Sequence, residues 1–225
     1  MQTPAEKHLI QMIVRAALIH EPQRACVLLN IGAGKSVSIE NHLTRTGVTF
    51  TEDRLDVFRH EVRHPSVRQY FVASIEDMKP VASDGYDLAF ANYVLEHIKN
   101  LDGSAREIHR VLKPCGIFIA SLPNPTAPEF RLAKYTPLTF HQWIRGHEEH
   151  EEAHETQYTY TDSTHLIQVF ENAGLRCIDV QRFSFTEGYL YKFLVLSWIS
   201  RAYDRVINRL GFSRWMGNVC LVFQK

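Results

Sequence analysis

Apolar residues recur at every third or fourth position near the start of the chain. Between residues 4 and 20 these positions are Leu9, Ile10, Ile13, Val14, Ala17 and Leu18. The spacing places them on one face of a helix. Pro22 follows, and because proline cannot continue a helix, the pattern predicts an amphipathic helix that ends before it.

Five short apolar runs, each bounded by turn residues, come after this helix. Such runs predict strands that are buried on both faces of a sheet. They cover residues 25–31, 48–51, 70–73, 86–91 and 117–122. Helical patterns lie among them at residues 36–44 and 104–112. This alternation predicts an α/β fold with a doubly wound parallel sheet, in which ligands bind at the carboxyl ends of the strands.

The regular pattern stops at Pro123. Residues 123–161 contain four prolines, six aromatic residues and four histidines without a clear period, which predicts an insertion in the fold. A helical pattern resumes at residues 162–173, and Gly174 is a suitable stop for it. A strand at 177–183, a long helix at 189–210 and a final strand at 219–223 complete the predicted elements.

The composition is that of one globular domain, which we take to span residues 1–225. Apolar residues make up 45% and charged residues 22%, close to the average of folded proteins. Twenty-five basic residues balance 25 acidic ones, which disfavours nucleic acid as a partner. No apolar run reaches about 18 residues, so no transmembrane segment is expected. The first residues lack the pattern of a secretion signal, which predicts a cytoplasmic protein.

The turn Gly32-Ala33-Gly34, between the first strand and the next helix, is the most informative junction. Glycines let the chain turn sharply and let a ligand approach the backbone, and the helix start presents N–H groups to an anion. A phosphate-binding P-loop needs a glycine at position 29, which is Leu29. A dinucleotide turn needs a third glycine at position 37, which is Val37. This weighs against an NAD(P)-dependent oxidoreductase, which we keep as an alternative.

A smaller carboxylate ligand needs only the first two glycines. Glu52 and Asp53 follow Gly32 by about twenty residues, at the predicted end of the second strand. A carboxylate there can accept hydrogen bonds from both hydroxyls of a ribose. These residues predict a nucleoside with an amino-acid tail as the ligand. Side chains alternate along a strand, so one carboxylate is expected to bind the ribose and the other to point away.

Four segments resemble those of a known family. Residues 27–34 (VLLNIGAG) resemble the first motif of class I S-adenosylmethionine-dependent methyltransferases. Residues 86–98 (YDLAFANYVLEHI), 107–116 (EIHRVLKPCG) and 165–175 resemble later segments of the small-molecule branch, often called type 11. Asn30, Ser36 and Cys115 depart from the family pattern, which leaves a non-catalytic binding module as a further alternative.

The resemblance implies a Rossmann-like methyltransferase fold. Its sheet would have seven mostly parallel strands, with helices on both faces and an antiparallel last strand. It also implies the cofactor S-adenosylmethionine and the transfer of its methyl group to a small-molecule acceptor. The methionine tail would lie at the glycine turn and the adenine against the residues that follow the third strand. The expected cofactor-binding residues are Asn30, Gly32, Ala33, Gly34, Glu52, Asp53, Ser74, Ile75, Glu76 and Asn92.

The acceptor side is less marked in the sequence. The insertion at 123–161 directly follows the fifth strand, so we expect it to fold over the strand ends as a lid. His97 lies a few residues beyond the fourth strand and is a candidate base for an acceptor hydroxyl. The residues expected in the acceptor pocket are Tyr93, Asn124, Trp143, Tyr158 and Tyr160.

Two further segments have competing interpretations. Residues 150–154 match the HExxH pattern of zinc proteases, but the surrounding residues offer no apolar face, which favours a solvated acidic segment and no metal. The four cysteines are far apart and form no CxxC, which predicts reduced thiols. The helix at 189–210 is expected to pack on the sheet, or to form a homodimer interface or a hydrophobic acceptor pocket.

Overall fold

Seven strands form one sheet in the computed structural model, which describes residues 2–20, 24–60, 62–133, 156–190 and 194–225. Their bounds are β1 Cys26–Ile31, β2 Phe50–Asp56, β3 Val67–Val72, β4 Tyr86–Asn92, β5 Leu112–Pro123, β6 Arg176–Phe183 and β7 Asn218–Gln224. The order across the sheet is β3-β2-β1-β4-β5-β7-β6. Only β7 runs antiparallel to its neighbours, β5 and β6. The predicted seven-stranded, mostly parallel sheet with an antiparallel last strand is confirmed.

Helices cover both faces of this sheet, as expected for a doubly wound fold. They are α1 Pro4–His20, α2 Ser38–Arg45, α3 Leu101–Val111, α4 Pro128–Ala133, α5 Ser163–Asn172, α6 Glu187–Leu190 and α7 Leu194–Leu210. The helix predicted at 189–210 corresponds to α6 and α7, and residues 191–193 between them lie outside the described ranges. Within those ranges, no helix has both the length and the hydropathy needed to cross a bilayer.

Two apolar cores hold the layers together. On one face, Phe118 of β5 and Phe223 of β7 stack with Phe170 of α5, at ring-centroid distances of 5.6 and 4.9 Å. On the other face, Leu9 and Ile13 of α1 are fully buried within the second core. Because both faces are covered, β1 and β4 consist mostly of apolar residues, with Asn30 and Asp87 as buried polar exceptions, and this is why their ranges could be predicted closely.

Strands β2 and β5 are exceptions, because β2 extends five residues beyond its predicted end at Thr51 and β5 begins five residues before its predicted start at Ile117. The continuation of β2 contains Glu52, Asp53 and Arg54, each at most 1% exposed. A run of charged residues predicts the end of a buried strand, since buried charge is costly unless it is paired. Here it is paired: Asp53 accepts hydrogen bonds from Arg68 and from the Tyr86 hydroxyl. The strand therefore ends at Asp56.

The strand order creates the place for a site. β1 lies between β2 and β4, so the chain leaves β1 toward one edge of the sheet and later returns to its other side. The loops after β1 and β4 consequently diverge and leave a crevice at the carboxyl ends of these strands.

Candidate functional site

A cleft of about 510 Å³ opens at this crevice, where β1, β2, β3 and β4 end. Its volume lies within the range of small-molecule sites, about 300–1,000 Å³. Several predicted residues meet in it, together with others that sequence reasoning missed. Among the lining residues are Gly32, Gly34, Asp56, Ser74, Ile75, Glu76, Tyr93 and His97. We call it the cofactor cleft.

The glycine turn forms one wall of the cofactor cleft. Gly32 and Gly34 have φ angles of +65° and +56°, in the left-handed region that glycine adopts without strain. A side chain at Gly32 would place its Cβ 2.3 Å from Cγ2 of Val94. A Cβ at Gly34 would meet no atom within 4 Å. The turn therefore offers a bare stretch of backbone beside open space, which a ligand can approach.

A fully buried arginine forms hydrogen bonds to the backbone of this turn. Arg54 is 1% exposed, and its Nη2 donates to the carbonyl oxygens of Ala33 (2.6 Å) and Ser36 (2.7 Å). Its Nη1 donates to Oε1 of Glu40 at 2.6 Å. An arginine presents several donors in a fixed planar fork, so one side chain can fix several carbonyl oxygens at once. Arg54 thus determines the conformation of the glycine turn.

Asn30, which we expected to bond the turn, instead belongs to the buried cluster around Arg54. Its Nδ2 donates to Oε1 of Glu40 (3.1 Å) and to Oε1 of Glu52 (3.2 Å). Arg54 makes the contacts to the turn in its place.

Glu52 is the neutral member of this cluster. Burial, reinforced by the nearby Glu40 carboxylate, raises the pKa of Glu52 to about 9. Oε2 of Glu40 and Oε2 of Glu52 are buried and meet no donor among the described residues. Protonation of Glu52 removes the repulsion between the two carboxyl groups.

We expect the substitution Glu52→Gln to stabilise the protein at high pH. Because the pKa of Glu52 is raised, the stabilisation that it contributes is complete below about pH 4.5, which equals its ordinary pKa. This stabilisation is lost as the pH rises toward about 9. A glutamine keeps a donor toward Glu40 and has no proton to lose. Its advantage over wild type in the free energy of unfolding should grow by about 2–5 kcal/mol between about pH 5 and about pH 9.

Urea unfolding of both proteins at several pH values measures this difference. The exposed Glu171→Gln is the control and should show no growing gap. Parallel curves for wild type and Glu52→Gln would mean that Glu52 is ionised in the folded protein.

Asp56 is the carboxylate that faces the cofactor cleft. Its Oδ2 accepts from the Gly34 N–H at 2.8 Å, and its Oδ1 accepts from the Phe58 N–H at 3.1 Å. Each carboxylate oxygen has two lone pairs, so both can accept a further hydrogen bond. The expectation that Glu52 or Asp53 ends the strand is wrong, because both are fully buried in β2 and neither lines the cleft. Asp56 is instead the carboxylate that ends β2 and lines the cleft.

The opposite wall is formed by the residues after β3. Ser74, Ile75 and Glu76 all line the cofactor cleft, as predicted. Ile75 is 4% exposed and offers an apolar surface. Oε1 of Glu76 accepts from the Asn100 N–H at 2.9 Å, which ties this wall to the start of α3. The wall therefore combines an apolar face with a polar rim.

The residues after β4 form the floor between the two walls. Tyr93 lines the cleft with a φ of +57°, and its hydroxyl donates to Oδ1 of Asn218 (2.6 Å) and is bonded to Oγ1 of Thr3 (2.7 Å). His97 also lines the cleft, with its Nε2 4.0 Å from Oε1 of Glu96. Asn92 does not line it, since its Oδ1 accepts from the Ser121 hydroxyl.

The predicted acceptor residues are dispersed. Tyr160 is 1% exposed, and its hydroxyl donates to the Pro123 carbonyl oxygen at 2.9 Å. Its ring packs edge-on against that of Tyr158, with centroids 6.1 Å apart. Asn124 lines a second cleft rather than the cofactor cleft. Trp143, the HExxH segment and most of the expected lid lie outside the described residues.

Sequence reasoning missed Asp56, Arg54 and the second cleft. Asp56 could have been found from register, because Ile31, the last residue of β1, pairs with Leu55. That pairing places Asp56 beside the glycine turn. Among the described residues, no cluster of side chains has the composition of a metal site.

Comparisons with known proteins agree with this geometry. A family model for a methyltransferase domain matches residues 29–120. Demethylmenaquinone methyltransferase of Staphylococcus haemolyticus is 26% identical over 160 residues, which are 68% of this chain and 66% of that protein. The match thus covers slightly less than two thirds of the relative's length.

Two solved structures share the fold. An S-adenosylmethionine-dependent methyltransferase from Mesorhizobium loti has a TM-score of 0.58 and 15% identity, with 96% of this chain and 98% of that chain covered. The cyclase SpnF has a TM-score of 0.62 and 16% identity, with 98% of this chain and 81% of that chain covered. Likeness at this level of identity concerns the fold alone.

The sheet order and the glycine turn define a doubly wound fold with a cleft at the switch point. Over residues 29–120 the chain is similar to a methyltransferase domain, and it shares its fold with an S-adenosylmethionine-dependent methyltransferase of known structure.

Proposed function

We propose that the protein binds S-adenosylmethionine in the cofactor cleft and transfers its methyl group to a small-molecule acceptor. The observation that carries the proposal is that a bare glycine turn and the Asp56 carboxylate lie side by side in one cleft. The glycine turn suits a carboxylate tail, and the Asp56 carboxylate suits the two hydroxyls of a ribose. The apolar surface of Ile75 suits the flat base.

The protein's own contribution is mostly alignment. When bound, the cofactor supplies a methyl carbon that a nucleophile can attack, and the cofactor's sulfur is the leaving group. Asp56 and the glycine turn would fix the two ends of the nucleoside, and Tyr93 and Val94 would border the space between them and the acceptor. Correct positioning and exclusion of water lower the barrier without any covalent intermediate.

His97 is our proposed base for an acceptor that has a hydroxyl nucleophile. It lines the cofactor cleft, and its side chain is 30% exposed. An imidazole titrates near neutral pH, so it can take up the proton that the hydroxyl releases. An acceptor with a more reactive nitrogen, sulfur or acidic carbon would not require it.

Replacement of Asp56 tests the cofactor assignment. We expect Asp56→Ala to weaken S-adenosylmethionine binding by about tenfold to a hundredfold, because a charged acceptor of two hydrogen bonds is lost. Isothermal titration calorimetry measures the change. Asp102→Ala is the control: Asp102 is an exposed residue in the first turn of α3, and the variant should bind as wild type does. Equal affinity of the Asp56→Ala and wild-type proteins would place the ribose elsewhere.

Turnover needs a separate measurement, because the fold also occurs in a cyclase. Mass spectrometry of incubations with acceptor panels detects the gain of one methyl group. Cofactor binding without any methylated product would favour the non-catalytic alternative. A cytoplasmic location, the absence of nucleic-acid partners and a homodimer through the 189–210 helix stay predictions.

A further inference from the structure

A second cleft, of about 930 Å³, lies where β5 and β6 end and β7 begins. Since β7 is antiparallel to both strands, this is the same edge of the sheet that carries the cofactor cleft. The start of α5 and the turn before β7 form its walls. Nothing in the proposed cofactor binding uses it.

Three arginines from separate parts of the chain point to the chemistry of this cleft. Arg131 comes from α4, Arg182 from the end of β6, and Arg214 from the turn before β7. Nη2 of Arg182 donates to the Ser163 hydroxyl at 2.9 Å. Within the described ranges, none of the three forms an ion pair with a carboxylate. The cleft therefore collects positive charge that the described residues do not neutralise by ion pairing.

One acidic side chain, Asp162, also lines the cleft, so three guanidinium groups stand against one carboxylate. Oδ1 of Asp162 accepts from the N–H groups of Thr164 and His165, both at 2.9 Å, and so caps the start of α5. Hydroxyl groups of Ser163 and Thr164 lie among the lining residues as neutral hydrogen-bonding groups. Guanidinium groups together with hydroxyl donors recognise phosphate and carboxylate groups.

The second cleft lies close to the cofactor cleft. Gln157 lines the cofactor cleft and Thr161 lines the second one, so the chain crosses between them in four residues, at most about 14 Å. Tyr93 lines the cofactor cleft and Asn124 lines the second one. They follow the neighbouring strands β4 and β5, so the two clefts are adjacent there as well. An elongated molecule can thus extend from one cleft to the other.

We infer that the second cleft binds an anionic group, a phosphate or a carboxylate, of the methyl acceptor. This rests on the proposed methyl transfer. The reactive atom of the acceptor would lie near Tyr93, and its anionic group would lie among Arg131, Arg182 and Arg214. Trp215, which is 50% exposed in the same lining, offers an aromatic surface to the part between them.

Chemical modification of arginine tests the inference on the native protein. Phenylglyoxal is added with or without inorganic phosphate or acetate, and peptide mapping gives the rate at each arginine. We expect one of the anions to slow modification of Arg131, Arg182 and Arg214 together, by about tenfold at ten times its dissociation constant. The rates at the exposed Arg205 and Arg209 of α7 should not change. Protection by phosphate alone would identify a phosphorylated acceptor, and protection by acetate alone an acid.

A double substitution checks that the protection is local. In Arg182→Gln/Arg214→Gln, the anion should no longer protect Arg131, while S-adenosylmethionine binding stays at the wild-type level. Protection that is equal at α7, or that persists in the double variant, overturns the inference, as does a lack of protection by either anion. Local protection in a protein that does not bind S-adenosylmethionine would refute the proposed function, and with it the role of the cleft as an acceptor subsite.

Discussion

Replacing Arg54 with methionine is expected to lower the free energy of unfolding by about 3–5 kcal/mol, because Glu40 is then left charged and buried without its partner. Glu40 is 1% exposed, and Arg54 is its only cation among the described residues. Affinity for S-adenosylmethionine should fall as well, since the carbonyl oxygens of Ala33 and Ser36 lose their common donor. Urea unfolding and calorimetry measure the two effects.

A double substitution separates the loss of stability from the loss of binding. In Glu40→Gln/Arg54→Met the buried charge is gone, so much of the stability should return. The glycine turn still lacks its donor, so the affinity should stay low. Recovery of both together would mean that Arg54 acts only through the stability of the fold.

The matched control for Arg54 is Arg68→Met, on the neighbouring strand β3. Arg68 also pairs with a buried carboxylate, Asp53, at 2.6 Å. Its side chain is 44% exposed, however, and Asp53 keeps hydrogen bonds from Gln69 and Tyr86. We expect a loss of about 1 kcal/mol and an unchanged affinity.

The second large effect is expected for Gly34→Val, which should abolish S-adenosylmethionine binding. A side chain at this position meets no protein atom within 4 Å, so it extends into the open space that the ligand's tail would occupy. The positive φ of Gly34 adds strain for a β-branched residue, about 1–3 kcal/mol. Calorimetry with the purified variant measures the loss of binding.

Gly47→Val isolates the effect of strain. Gly47 follows α2 and has a φ of +78°, and a Cβ at this position would likewise meet no atom within 4 Å. Both variants should lose similar stability, and only Gly34→Val should lose binding. If Gly34→Val binds as well as Gly47→Val does, the glycine turn does not contact the ligand.

The sequence is informative where one physical requirement dominates. Strands β1 and β4 are buried on both faces, so their apolar runs are continuous and predict their bounds to within one residue. The glycine turn is recognisable because positive φ angles and close approach of a ligand both require glycine. Ile75 and its neighbours follow from the rule that ligands bind at the strand ends.

The sequence is misleading where distant residues neutralise one another. The charged run at residues 52–54 predicts an early end of β2, because the residues that pair with it are distant in the sequence. Glu40 lies 14 residues before its partner Arg54, and Arg68 lies 15 residues after its partner Asp53. The second cleft is assembled from residues 131, 182 and 214, whose separation hides their common location. Pairing of this kind depends on the tertiary fold, which local patterns do not contain.

The place of β7 bears on the order in which the sheet is assembled during synthesis. β7 follows β5 and β6 in the chain but inserts between them, so β6 has no backbone partner among the described strands until residues 218–224 have emerged. The cofactor cleft, by contrast, is lined mainly by residues 31–99. A nascent chain could therefore form most of that cleft early, while the edge of β5 stays unpaired and open to pairing with other chains. Asn218 of β7 also accepts a hydrogen bond from the Tyr93 hydroxyl, so the floor of the site is fixed only once β7 has joined the sheet.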